Sequence, residues 1–181
     1  MVGKISVQEF IQKGREREFL IFAEKFTCQD KEVERFLREK ALEFDRRNKS
    51  RTYLLIDGNK DKEVVIWGYY TLTLKSLKFN VGLSNSKIKK IDGFRSDVTE
   101  TESILIGQLG KDYHHREKIS GSEIIGYAFN DIYEVHRIVG SRIVFLECQN
   151  NEKVVKFYQD NEFVFLQNSS DGEYLQMVRY L

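Results

Sequence analysis

Proline is absent from this 181-residue chain, so the commonest sequence punctuation is missing and segment boundaries must be read from glycine and charge. Cysteine is nearly absent: Cys28 and Cys148 have no metal-ligand spacing. A chain of this length needs no covalent staple, so both are expected to be reduced thiols. No run approaches the roughly 18 apolar residues of a membrane span, and the opening MVGKISVQEF has no apolar signal core. These absences lead us to expect a cytoplasmic protein with no membrane partner. An excess of charge is missing as well, since Lys+Arg 29 against Asp+Glu 28 leaves +1, and no global field argues for nucleic acid. What is present, 41% hydrophobic, 13% aromatic and 31% charged residues, suits one domain over residues 1–181 with an ordinary core.

In chain order, Ser6 and Glu9 have capping-box spacing, and Gly14 ends a short helix in which Val7, Phe10 and Ile11 face inward. The apolar, aromatic run Phe19 to Phe26 reads as a first strand. Asp30 can cap a helix with Val33, Phe36, Leu37, Ala41 and Phe44 inward and Glu32, Arg35, Arg38, Glu39 and Glu43 in water. That helix runs out in Arg46, Arg47, Lys49 and Arg51, which read either as a charged helix end or as a landing site for phosphates. Thr52–Ile56 and Glu63–Leu74 form a hairpin about the turn Asp57–Asp61, and Gly68 marks a bulge or a close approach. Lys75 to Thr101 shows no strong period and allows only a short helix around Ile88 and Ile91. RIVFLE, residues 142–147, is a buried strand, and Asn150 or Asn151 can cap the next helix. Two strands, Phe163–Leu166 and Tyr174–Tyr180, follow, joined by the turn Asn168–Gly172.

The chain is organised around residues 103–134. The run Ile104, Leu105, Ile106 and Leu109 has a strand's length, a polar segment follows, and Ile124, Ile125, Ala128, Phe129, Ile132 and Val135 then recur at helical spacing. The turn into that helix carries Arg116, Lys118, Ser120, Gly121 and Ser122. The first amides of a helix have no internal partner and its dipole is positive there. Two cations, two hydroxyls and a glycine at such a place are suited to a diphosphate. A basic loop leading into a Ser-capped helix is the plain alternative.

Gln108-Leu-Gly-Lys-Asp112 followed by Arg116-Glu-Lys-Ile-Ser-Gly121 resembles motif A of the GNAT superfamily of N-acetyltransferases, Gln/Arg-x-x-Gly-x-Gly/Ala after a strand. Arg116 and Gly121 match, while Ile119 stands where the middle glycine is expected. Asn151, Tyr158 and Phe163 are similar to the motif B pattern Asn-x-x-Ala-x-x-x-Tyr-x-x-x-Gly-Phe, with Val154 for the small residue and Glu162 for the glycine. Gly68-Tyr69-Tyr70-Thr71-Leu72 resembles the family's third strand, and the order of elements is similar along nearly the whole chain. The resemblance implies an α+β GNAT fold with a mixed, mostly antiparallel sheet flanked by helices. It also implies acetyl-CoA as cosubstrate, held by Leu109, Gly110, Lys111, Arg116, Lys118, Ser120, Gly121, Ser122 and Asn151.

Acetyl transfer from a thioester to an amine needs a proton for the departing thiolate. A phenol of pKa about 10 can supply it to a thiol of pKa about 8.5 at close range, and Tyr158 is the candidate acid. No general base stands out; Glu102, Asp112 and Glu147 qualify only by lying near strand ends. An α-amine, with pKa about 7.7–8.0, needs no dedicated base. His114, His115 and His136 have no carboxylate at ligand spacing, so no metal is expected.

Phe26-Thr-Cys28-Gln-Asp30, Phe36-Leu-Arg-Glu-Lys-Ala41 and Ser50-Arg-Thr-Tyr53 resemble the branch of toxins that acetylate aminoacyl-tRNA, although the chain lacks their strong basic charge. The expectation is therefore an acetyltransferase with an unidentified amine acceptor, with tRNA the lesser alternative. Two other readings are a GNAT-like module that binds acyl-CoA without turnover, and a nucleic-acid binder using Arg46–Arg51 and Lys87–Lys90. A homodimer is left open.

Overall fold

The computed structural model describes residues 2–57 and 64–181. Its strands join in a seven-stranded sheet ordered β1 (Val2–Ser6), β2 (Arg51–Asp57), β3 (Ile66–Lys78), β4 (Glu100–Lys111), β5 (Ile143–Gln149), β7 (Tyr174–Tyr180) and β6 (Val164–Asn168). β1–β2, β2–β3, β5–β7 and β6–β7 are antiparallel. β4 and β5 are parallel through Ile104↔Val144 and Leu105↔Phe145. The helices are α1 (Val7–Gln12), α2 (Glu16–Lys25), α3 (Lys31–Arg35), α4 (Ala41–Arg46), α5 (Asn85–Asp92), α6 (Gly121–Val139) and α7 (Glu152–Asp160). Contacts cluster in two compact units: the described residues up to Thr73 with Gly107–Ala128, and Leu74–Ile106 with Phe129–Leu181.

In the first unit Ser6 and Glu9 form the expected capping box on α1. Asp30 caps α3 by accepting from the Glu32 and Val33 amides. Between α3 and α4 the chain makes one π-helical turn, Phe36–Lys40, in which the Ala41 N–H donates to the Phe36 carbonyl. The wider winding inserts one residue into the helical repeat. It leaves Leu37 and Ala41 buried with Val7, Phe10, Phe19, Ala23, Phe26, Leu54, Ile66 and Tyr69. Arg38, expected in water, instead donates to the Phe26 carbonyl through Nε (3.1 Å) and Nη2 (2.7 Å). Glu34 is also inside and accepts from the Cys28 amide at 2.8 Å.

In the second unit α5 packs Ile91 on Leu77, Leu105, Ile143, Phe145, Leu166 and Val178. It is the short helix expected within the unpatterned stretch. Asn151 caps α7, and Gly172 takes a left-handed φ of 77° in the β6–β7 turn.

Four expectations need correction. Phe44, expected on the inward face, is exposed on α4, and its neighbour Asp45 is buried instead. The run Phe19–Phe26 belongs mainly to helix α2, and no strand forms there. Phe19 and Ala23, one helical turn apart, are buried, while Leu20 and Ile21 are exposed. Four consecutive apolar residues hid a helix with acidic residues in its first turn and Lys25 in its last. Val135 is exposed near the end of α6. β1 runs up to Ser6, where no strand was expected. The turn residues Gly58–Asp61, and Glu63 at the expected start of the second strand, lie outside the described residues. Gly68 shows both features expected of it. The β2–β3 register skips Trp67, and a Cβ on Gly68 would lie 2.6 Å from Ile124 Cδ1.

At the end of α4, Asp45 is fully buried. Its Oδ2 accepts from the Thr52 amide at 3.0 Å, while Oδ1 has no hydrogen bond among the described residues. Burial outweighs the Thr52 hydrogen bonds and the Arg51 charge, and pushes its pKa from 3.8 to about 6. The folded state therefore binds this proton more tightly than the unfolded chain, and stability drops as pH rises from about 4 to about 6. Asp45→Asn should stabilise the protein at about pH 7.5 by about 2 kcal/mol, with the gain vanishing near pH 4. Thermal melts at the two pH values check this; a gain of equal size at both would exclude it.

Candidate active site

The candidate residues fall in both units, and those of each unit are built locally. In the first, β4 ends in Leu109, Gly110 and Lys111. Gly110 is needed for packing, because a Cβ there would lie 2.7 Å from both Tyr69 Cε1 and Val33 Cγ1. The Tyr69 hydroxyl donates to the Val33 carbonyl at 2.5 Å, which ties α3 to β3.

Next comes Asp112, whose carboxylate is almost fully buried, with its side chain 3% exposed. Oδ1 accepts from the Thr27 amide (2.8 Å) and hydroxyl (3.1 Å). Oδ2 accepts from the His114 and His115 amides (both 3.0 Å) and lies 2.8 Å from His115 Nδ1. Burial pushes the Asp112 pKa up, but the Thr27 and His115 hydrogen bonds outweigh it and hold the group below its ordinary value. The Tyr113 amide adds a bond to the Thr27 carbonyl at 2.8 Å. Asp112 thus fixes the start of the turn as a structural carboxylate and is committed to five donor groups. Sequence reasoning quoted Thr27 only within the stretch 26–30 and missed its role as a partner of Asp112. An Asp followed by residues whose amides it can accept is a readable Asx-turn signal.

The turn then presents Arg116, whose guanidinium lies 5.2 Å from the Tyr113 ring centroid. Lys118 is exposed, 3.9 Å from Glu117. Ile119 is buried, 2% exposed, and its φ is not among the positive values. The side chain at the family's middle-glycine position is therefore turned into the core and needs no glycine-like backbone. Ser120 caps α6 in a second capping box: its Oγ accepts from the Glu123 amide (3.1 Å), and Glu123 Oε2 accepts from Ser120 N and Oγ (both 2.7 Å). The Ser-x-x-Glu spacing could have revealed Glu123. The Gly121 and Ser122 amides have no hydrogen bond among the described residues outside the helix, and inside it the first amides have no acceptor. Helix-start amides of this kind, on a turn that also carries Arg116, are groups that can meet an anion.

In the second unit Asn151 Oδ1 accepts from the Lys153 (3.0 Å) and Val154 (3.4 Å) amides, so its oxygen is used as the α7 cap. Seven residues on, Tyr158 is half-buried and packs edge-on against Phe163, centroids 5.8 Å apart. The Phe163 N–H donates to the Tyr158 carbonyl (3.0 Å) and the Glu162 N–H to the Gln159 carbonyl (3.0 Å). This is a Schellman ending, and Glu162 occupies its left-handed position with φ 68°. The family's glycine is replaced, but the backbone angle a glycine would take is kept. Glu162 pairs with Arg179, which also lies 4.0 Å from the Phe129 ring centroid.

The other candidates are accounted for locally. Glu102 accepts from the Ser76 hydroxyl at 2.6 Å. His136 Nδ1 lies 2.8 Å from the Ser141 carbonyl. Arg46 and Arg47 both pair with Glu43, and Arg51 donates to Asn48 at 2.5 Å. Arg46 and Arg47 are therefore held by acidic neighbours, Arg46 by Glu16 as well as Glu43. Cys28 and Cys148 are buried free thiols. Among the described residues no group of three or more His, Cys, Asp or Glu side chains is placed to hold a metal ion, and no helix is long and apolar enough to cross a membrane.

No family model matches the chain, and no curated protein sequence is similar to it. Solved structures are. A Tyr-to-Phe mutant of KacT shares 19% identity over 99% of this chain and 94% of its own, with a TM-score of 0.75. AtaT complexed with acetyl-methionyl-tRNAfMet shares 21% over 97% and 94%, with a TM-score of 0.72. AtaTR bound with AcCoA shares 22% over 86% and 84%, with a TM-score of 0.67. These likenesses show the fold: the α+β GNAT fold, with its seven-stranded, mostly antiparallel sheet.

Two outcomes follow from this geometry. Asp112→Ala should lower the unfolding free energy by about 2–3 kcal/mol near pH 7. Since the native pKa is depressed, that contribution is present above the unfolded value of about 3.9 and is lost as pH falls below it; urea titrations at the two extremes measure the gap. Glu162→Gly should stabilise the protein by about 0.5–1 kcal/mol, which raises the melting temperature by about 1–4 °C, whereas Glu162→Ala should not.

Proposed function

We propose that this chain, on its GNAT fold, moves an acetyl group from acetyl-CoA to a primary amine by direct attack. The observation that carries the reading is the start of α6. Two amides without a partner among the described residues and an arginine stacked on Tyr113 follow a strand whose exit Asp112 pins. Helix-terminal amides with a cation beside them recognise a diphosphate. Gly121, Ser122 and Arg116 would hold it, with Lys118 at its side and the Leu109–Lys111 backbone taking the pantetheine amides; the Ser120 hydroxyl, committed to Glu123, holds the helix start in place. The likeness to AtaTR bound with AcCoA supports acetyl-CoA as the donor.

The donor supplies an activated thioester. The chain supplies the proton: as the amine attacks the carbonyl and the carbon–sulfur bond breaks, the Tyr158 phenol donates to the leaving sulfur, and the proton shed by the nitrogen restores the phenol. Tyr158 is held by the helix ending that also orders Phe163. That KacT and AtaT were each solved as a Tyr-to-Phe mutant supports a tyrosine in this role. Neither departure from the family motifs gives a reason for lost turnover, since Ile119 is turned inward and Glu162 takes the required angle.

The acceptor class favoured is an α-amine, which at a pKa of about 7.7–8.0 is already partly neutral near pH 7 and needs no dedicated base. The likeness to AtaT complexed with acetyl-methionyl-tRNAfMet supports aminoacyl-tRNA within that class. The paired Arg46 and Arg47 side chains argue against that cluster as its landing site.

Thiol release from acetyl-CoA, measured with α-amino amides and with aminoacyl-tRNA, tests the activity. Tyr158→Phe should reduce turnover by about 10²–10⁴-fold while the calorimetric affinity for acetyl-CoA stays within about two-fold of wild type, about 0.4 kcal/mol. Unchanged turnover removes the phenol from the mechanism.

A further inference from the structure

At the carboxyl end of β5, three residues of neighbouring strands form a polar row on one face. Glu147 of β5 is opposite Gln176 of β7, and Gln176 is opposite Gln167 of β6. Gln167 and Gln176 are 6% and 9% exposed. Burying two carboxamides costs free energy unless their donors and acceptors are met, and here they are met in one direction. Gln167 Oε1 accepts from the Asn80 amide (2.9 Å), and its Nε2 donates to the Lys78 carbonyl and to Gln176 Oε1 (both 2.7 Å). Gln176, its oxygen so occupied, donates from Nε2 to Glu147 Oε1 at 2.8 Å. The relay ends on a carboxylate and orients it.

What faces the other oxygen is an alkylammonium. Lys75 Nζ lies 3.7 Å from Glu147 Oε2 and 5.9 Å from the Phe145 ring centroid. A carboxylate beside an aromatic face is a chemical match for a primary ammonium. Yet 3.7 Å is long for a charge-assisted hydrogen bond, ordinarily about 2.7–2.9 Å, and the two side chains are 50% and 31% exposed. Lys75 holds the place loosely.

We propose that Glu147, oriented by Gln167 and Gln176, binds the ammonium of the acceptor, and that Lys75 occupies this site until the acceptor displaces it. The proposal names the acceptor-binding group of the acetyltransferase and rests on that reading for its biological meaning; the binding itself does not require turnover. Gln167 and Gln176 are positioning residues, and Glu147 is the group that touches substrate.

The test is a titration of the isotopically labelled protein with methioninamide, following the Gln176 side-chain NH₂ resonance, with N-acetylmethioninamide as the control lacking an ammonium. The amine should shift the resonance saturably and the control should not. Glu147→Gln should weaken the amine by about tenfold or more. Lys75→Met, an exposed change that leaves the fold intact, should tighten it by about two- to five-fold. A resonance that ignores the amine, responds equally to the control, or gives an affinity unaffected by Lys75→Met overturns the proposal. Binding at Glu147 without thiol release from acetyl-CoA would instead sink the acetyltransferase reading, and release without a Gln176 response would sink this one.

Discussion

A single buried carboxylate, Asp112, sets the geometry of the turn that leads from β4 into α6. Strand β4 must stop, turn and deliver its chain to the start of α6, and polar backbone in such a turn has to find partners once it is out of water. Asp112 supplies them for the His114 and His115 amides while its other oxygen holds Thr27. One side chain thus joins the end of the sheet to the segment between α2 and α3, which Arg38 grips from its other side through the Phe26 carbonyl. An anion at the helix start would be met by amides already aimed, with little left to order on binding.

The two departures from the family motifs look alike in sequence and differ in physics. Ile119 replaces a glycine with an ordinary buried hydrophobe whose backbone angle is unremarkable, so the position has been absorbed by the core. Glu162 replaces a glycine without changing the backbone. It bears the cost of a left-handed residue, roughly 1–2 kcal/mol, with an Arg179 ion pair and the Phe163–Tyr158 contact to hold the ending in place.

The strand, turn and helix around residues 103–134 were legible because hydrophobic period, capping chemistry and glycine all point the same way there. So were Asp30, Asn151 and the turn before β7. α2 was not, because the continuous run Phe19–Phe22 carries no period: two of its residues face solvent simply because the helix turns them outward. Nor could the pattern announce Arg38 as a half-buried clamp, since the π-helical turn shifts the face it occupies. The carboxamide relay was illegible for another reason: Glu147, Gln167 and Gln176 are distant in sequence and meet only once three strands pair.

That π-helical turn also constrains how the segment can change. The wide turn takes up one residue beyond the α-helical repeat, so losing an exposed one such as Glu39 would restore even winding while the residues beyond keep their faces. Asp45 would stay in the core with its hold on Thr52. A residue lost or gained elsewhere in the helix, with no wide turn to absorb it, would instead rotate everything beyond by about 100°: the segment carries one place where its length can change without rebuilding the strand that follows.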